Sequence, residues 1–331
     1  MLRIQELTKP FDGAAGAAQV GSQQLRFHFN GADRRVAVDE LLPTDDEENL
    51  VCAKLIGSRK SWPGIIEKAY LTVMSGSYEF TGSNPSIDLH ILAGWIPEHV
   101  HLRGGPSGTF QREKEWERIH AAWAGGRCLL SAGTAASTTP HSEPNDVQLV
   151  SSHAYCVLDM YVNQDAQRRI VLLNPWDMET NQERGGGAAR VVTLPWDQFC
   201  IRFDSIFLSW SPTRWRHQIT SHMRWSKSAN ASRTSNVSFI LTSKPDGPEA
   251  PADSDLHVLL VRHFADAPSI DKHLGLQVSS GGARVSRSAA SVSGVQSLTT
   301  RGVADHHYGS EHVVWRHSSL TPSETIRVGR I

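Results

Sequence analysis

The sequence predicts an α+β fold: a mixed body of helices and strands, followed by an antiparallel β-sandwich. Three observations predict it. Apolar residues recur at helical spacing only up to Ala124, the period changes to two from Cys128 onward, and short strand-like runs separated by Ser, Asn, Pro and Gly continue to about Phe264. The last pattern is that of a sandwich, placed here at residues 204–266.

Residues 1–24 are rich in Ala and Gly and weakly patterned, so they read as a loosely structured start. Leu25, Phe27 and Phe29 then alternate with polar residues, Asn30-Gly31 marks a turn, and Val36 and Val38 resume the alternation, which predicts a β-hairpin. A helix follows from Trp62, with Ile65, Ile66, Ala69, Tyr70 and Val73 on one side and Pro63 in the first turn, where it is tolerated. Asn84-Pro85 opens a shorter helix that Gly94 ends, and Glu113 to Ala124 forms a third with Trp116, Ile119 and Trp123 on one side. Cys128–Ser131, Val150–Val162 and Arg169–Leu173 read as strands, the last two joined by the polar stretch Asn163–Arg168. Val191 to Phe203 leads toward Phe207, Leu208 and Trp210. Lys244 to Asp255, with three prolines and four acidic residues, is a solvated loop. From residue 267 to 331 Ser, Arg and His abound with little periodicity, which predicts a poorly ordered or divergent tail.

Composition narrows the function classes. The 33 basic and 34 acidic residues leave a formal charge of -1 on 331 residues, excluding a globally basic nucleic-acid binder. Four scattered cysteines, Cys52, Cys128, Cys156 and Cys200, without a CxxC pair, argue against a disulfide framework or a zinc ribbon and for buried reduced thiols. No apolar run approaches membrane-spanning length, so no transmembrane segment is expected, and the first residues carry no signal-peptide core.

The sharpest chemical constellation is His153 at the head of one strand and Asn174-Pro175-Trp176 at the end of the next. An antiparallel hairpin returns the end of its second strand to the start of its first, so His153 and Asn174 are expected to be neighbours. An amide oxygen that accepts one imidazole N–H sets the tautomer and leaves the other nitrogen free to take a proton from a thiol. Taken alone, a strand-edge histidine is as readily a packing residue, and Asn-Pro-Trp a strand-ending turn with a buried indole.

Several spaced motifs in order resemble the calpain family of papain-like cysteine proteases. They are FHFNGADRRVAVDELLP from Phe27, WPGIIEKAY from Trp62, GSYE from Gly76, LAGW from Leu92, SHAYCVLDM from Ser152, VLLNPWD from Val171 and FDSIFLSWSP from Phe203. FHFNG, GSN and GWIPE lean toward the fungal PalB-like members. The resemblance implies that residues 25–203 are the His/Asn half of a papain-like core. It makes His153 the general base, Asn174 its orienting partner and Trp176 the indole shielding their contact. It also implies a cytoplasmic endopeptidase of fungal ambient-pH signalling, recruited to endosomal membranes. Its substrate would be a protein, a zinc-finger transcription factor, and its partners ESCRT-linked scaffold proteins, with no nucleic acid involved.

The family's nucleophilic Cys lies upstream of the FHFNG hairpin, and here no Cys precedes it. None of the four cysteines opens a helix where amides and dipole would favour a thiolate, so all four are expected to be buried packing residues, with no nucleophile in the chain. Asp177, Glu179 and Glu183 after Asn-Pro-Trp are too few for a calcium cage, so no cofactor and no metal are expected. The rival to a protease with half its site is a non-catalytic calpain-like module that binds peptides or scaffolds partners.

Overall fold

The computed structural model describes residues 21–29, 32–55, 60–80, 82–102, 110–135, 148–176, 190–215, 217–221, 238–242, 256–261, 275–280, 295–299, 312–317 and 325–330. It is an α+β structure whose chain divides into two units: residues 1–28, 34–70 and 78–218, and residues 29–33, 71–77 and 219–331.

Strands β1 (Ser22–Phe29) and β2 (Ala32–Asp39), which lie mostly in the first unit, form the expected hairpin, with Leu25, Phe27, Val36 and Val38 buried at alternate positions. Helix α1 (Trp62–Met74), also mostly in the first unit, buries Ile65, Ala69 and Tyr70 at the i, i+4, i+5 spacing of one helical face. Helix α2 (Pro85–Ala93) has the caps its sequence announces. The Asn84 side chain accepts from the Ser86 backbone N–H at its start, and Gly94 ends it in the left-handed conformation at φ 67°. Asn84→Ala removes the acceptor for one orphan amide and should cost about 1 kcal/mol in urea denaturation. An unchanged midpoint would mean the cap contributes nothing.

Helix α3 (Arg112–Ala124) follows strand β3 (Ile96–His101) and lays Trp116, Ile119 and Ala122 into the core. Beyond it come β4 (Cys128–Thr134), β5 (Ala154–Val162), β6 (Arg168–Leu173), β7 (Val191–Pro195), helix α4 (Trp196–Arg202) and β8 (Phe203–Trp210). The strands make one antiparallel six-stranded sheet in the order β3-β8-β4-β5-β6-β7. One sheet face carries the main core, which includes Trp116, Tyr155, Leu172, Phe199, Phe203 and Trp210.

Three features of this unit differ from the sequence expectation. Strand β3 is absent from it because Pro97 breaks the local strand signal; β3 is an edge strand, where a missing N–H is harmless. Helix α4, only seven residues long, is too short to show a period. Strand β8, assigned to the sandwich by the boundary at Phe203, lies between β3 and β4 inside the core sheet. A strand buried in mid-sheet reads as a plain apolar run, which does not say which sheet it joins.

The second unit contains β9 (Ser238–Thr242), β10 (Leu256–Val261), β11 (Gly275–Ser280), β12 (Val295–Thr299), β13 (His312–His317) and β14 (Thr325–Arg330). They form a four-stranded sheet, β12-β11-β14-β9, and a two-stranded one, β10-β13, all antiparallel. Four of these strands fall in the stretch expected to be a poorly ordered or divergent tail, and β13 and β14 pair with strands before residue 266. Such ladders join backbone groups more than fifty positions apart, which local periodicity does not register. The weakly patterned start at 1–20, the Lys244–Asp255 loop and the acidic residues Asp177, Glu179 and Glu183 lie outside the described residues.

Candidate active site on the β5–β6 hairpin

The β5–β6 register pairs Cys156 with Leu173, so the residues just before β5 and just after β6 meet at one end of the sheet. There His153 Nε2 lies 2.8 Å from Asn174 Oδ1, and the Trp176 backbone N–H donates to the same atom at 3.1 Å. Two donors converging on one atom identify it as the amide oxygen, because the amide nitrogen cannot accept. His153 Nε2 therefore carries the proton donated to Asn174, and Nδ1 presents its lone pair. The contact from Trp176 closes an Asx turn, which bends the chain directly after β6.

Asn174 is fully buried, and its backbone N–H donates to the Arg190 carbonyl at 2.8 Å, extending the β6–β7 ladder by one bond. The Trp176 ring lies over His153 with 4.3 Å between ring centroids at a tilt of 56°. Tyr155, buried beneath the strand, meets the imidazole edge-on at 5.0 Å. Burial pushes the His153 imidazole below its ordinary 6.5, while the bond to Asn174 pulls the other way by favouring the cation. The three residues singled out by sequence, His153, Asn174 and Trp176, thus stand together.

The strand expected from Val150 begins only at Ala154. Residues 150–153 form a turn in which Ser152 adopts φ 48° and its N–H donates to the Ala135 carbonyl at 3.0 Å. The Thr134 hydroxyl accepts from the His153 N–H at 3.0 Å and reaches the Val150 carbonyl at 2.7 Å. Thr134 N–H donates to the His153 carbonyl at 3.0 Å, and the Tyr155 hydroxyl accepts from Val150 N–H at 2.9 Å. Sequence reasoning misses Thr134 and Tyr155 in these roles, since Thr134 is 19 residues from His153 and only the β4–β5 pairing brings it near.

The cysteines are not all packed inside. Cys128 and Cys200 are buried and Cys52 is half-buried, but Cys156 is exposed. Its strand neighbour Tyr155 faces the core, so Cys156 points to the other sheet face, which helix α3 and helix α4 leave uncovered at that position. Burial pushes the Cys128 and Cys200 thiols up to about 12, and burial together with the Glu67 carboxylate raises Cys52. Desolvation raises the Cys156 thiol as well, so none of the four is held as a reactive thiolate. Among the described residues no group of three His, Cys, Asp or Glu side chains is placed to hold a metal, and no helix is long and apolar enough to cross a membrane.

Comparison with known proteins covers the stretch that contains these residues. The family model described as "Calpain family cysteine protease" matches residues 7–186. Human calpain-7 is 31% identical over 288 residues, covering 77% of this chain and 34% of its own length. The Neurospora crassa calpain-like protease palB/cpr-8 is 29% identical over 290 residues, covering 80% and 29% respectively. The Emericella nidulans calpain-like protease palB is 31% identical over 219 residues, covering 62% and 25%. The chain spans about a third or less of the length of these curated relatives.

Proposed function

The chain belongs to the calpain family of cysteine proteases, and from that premise we propose that it supplies the base half of a calpain-type endopeptidase site. The observation that carries this reading is the 2.8 Å contact between His153 Nε2 and Asn174 Oδ1 under the Trp176 ring. In this role Nδ1 of His153 takes the proton of a cysteine thiol. The resulting imidazolium is stabilised by Asn174 accepting from Nε2, and it then protonates the leaving amine. Trp176 keeps water from competing for the His–Asn bond, which in bulk solvent would orient the ring only weakly.

In this reading the thiol comes from the family's upstream segment, N-terminal to the β1–β2 hairpin, because burial raises all four thiols here and Cys156 in addition lies on the far sheet face. The chain by itself is catalytically incomplete. On the likeness to the fungal proteases we place the whole protein in ambient-pH signalling, in the cytoplasm and at endosomal membranes. Its substrate there would be a zinc-finger transcription factor and its partners ESCRT-linked scaffolds. The lack of an activated thiol equally favours a second reading, a non-catalytic module that binds peptides or scaffolds partners.

Peptidase assays on a casein-type substrate separate these. The purified chain is expected to show no turnover. Joined in frame to an upstream segment carrying Gln and a Gly-x-Cys-Trp helix, it should turn over substrate in a manner abolished by a thiol-directed inhibitor and by His153→Ala. Turnover by the chain alone that both treatments abolish would make one of its own cysteines the nucleophile. If no such upstream segment is encoded, the binding-module reading holds.

A further inference from the structure

We propose that Thr134 is a positioning residue for the His153 imidazole, holding the turn from which that ring projects; the inference rests on His153 being the base. The β4–β5 ladder reaches the His153 carbonyl through the Thr134 N–H, but the His153 N–H and the turn before it need other partners. Residues 150–153 form that turn, and Ser152 within it occupies the left-handed region at φ 48°, which a serine does not favour unless its neighbours hold it.

Ser152 N–H is held by the Ala135 carbonyl at 3.0 Å, and the bonds at the two ends of the turn, Val150 and His153, converge on Thr134. Its hydroxyl oxygen accepts from His153 N–H at 3.0 Å, and its hydroxyl proton is directed to the Val150 carbonyl at 2.7 Å, with the His153 carbonyl at 3.2 Å as a second acceptor. Its own N–H donates to the His153 carbonyl at 3.0 Å. One side chain thus ties both ends of the four-residue turn. Thr134 is buried, so water does not replace these bonds when they are lost. It is placed there by the end of β4, where Leu130, Ala132 and Thr134 share the core-facing side and the β4–β8 register shifts between Gly133 and Thr134.

Tyr155 completes the clamp. Its hydroxyl takes the Val150 N–H at 2.9 Å, and its buried ring meets the imidazole edge-on. With the turn fixed above and Asn174 fixed in the β6–β7 ladder, the ring has one orientation, with Nε2 toward Asn174 and Nδ1 outward.

The test is nitrogen NMR of the histidine rings in this chain, comparing Thr134→Val, which removes the hydroxyl at similar volume, with Thr134→Ser, which keeps it. The unmodified chain and Thr134→Ser should show a single Nε2–H tautomer for His153 and a titration midpoint below 6.5. Thr134→Val should lose the single-tautomer signature and shift the midpoint up toward 6.5, as the loosened ring regains solvent, while amides of β6 keep their dispersion. A folded Thr134→Val with an unchanged His153 signature overturns the proposal. Should that variant not fold, Tyr155→Phe decides: mixed tautomers support the clamp, and an unaltered ring overturns it. Turnover plays no part in this readout, so failure of the protease reading would show in the His153→Ala assay and not here.

Discussion

Trp210→Ala is expected to lower the folding stability of the chain by about 3–5 kcal/mol, the cost of deleting a buried large aromatic. Trp210 ends the mid-sheet strand β8, is 1% exposed, and pairs with Ile96 on one side and Cys128 on the other. Three separate interactions meet on its indole. The ring packs in the main core, its Nε1–H donates to Glu98 Oε2 at 2.7 Å, and the Arg214 guanidinium lies over it at 4.6 Å. Glu98 is the link to helix α3, because its other oxygen is 2.8 Å from Arg118, which also holds Glu115. Losing the indole therefore opens a cavity and removes a donor from a half-buried carboxylate at the same place. Urea denaturation of the full chain measures it, and a loss under about 1 kcal/mol would contradict the packing described for this sheet end.

Asn174→Ala should cost about 1–3 kcal/mol, because the His153 Nε2–H and Trp176 N–H lose one shared buried acceptor. Its effect should grow with acidity. The folded-state pKa of His153 lies below 6.5, so between that value and 6.5 the unfolded chain binds more protons, and stability falls as pH drops through this window. Above 6.5 this contribution is complete. The bond to Asn174 is the influence that raises the pKa against burial, so removing it drives the folded value lower and widens the window. Denaturation midpoints taken from pH 7 to pH 5 should separate further for the variant than for the unmodified chain. Parallel curves would show that Asn174 does not act on the imidazole. In a protein that also carries the family's thiol, the same change should reduce turnover about 10²–10⁴-fold, the range of a positioned general base.

These expectations rest on features of different legibility. The β1–β2 hairpin, the caps of α2 at Asn84 and Gly94, and the pairing of His153 with Asn174 were readable because each depends on residues close in sequence or joined by one short turn. A left-handed glycine, an Asn before proline and a two-strand return are local decisions of backbone sterics and hydrogen bonding. The motifs around them carried the family as well, since their order along the chain survives without any knowledge of the fold.

What the chain alone did not disclose is what depends on partners distant in sequence. The place of β8 between β3 and β4, the pairing of β9 with β14 across more than eighty positions, and the reach of Thr134 to the turn at His153 follow from which strands meet. The exposure of Cys156 is of the same kind: its apolar neighbours suggest burial, but it stands opposite the core-facing Tyr155, on a side of β5 left open at that position. Periodicity tells which residues of a strand share a face, and only tertiary packing decides which of the two faces is covered. The sequence by itself therefore determined the α+β class, the family and the His–Asn pair, while the clamp that aims the imidazole and the limits of the core sheet were decided by long-range pairing of buried strands.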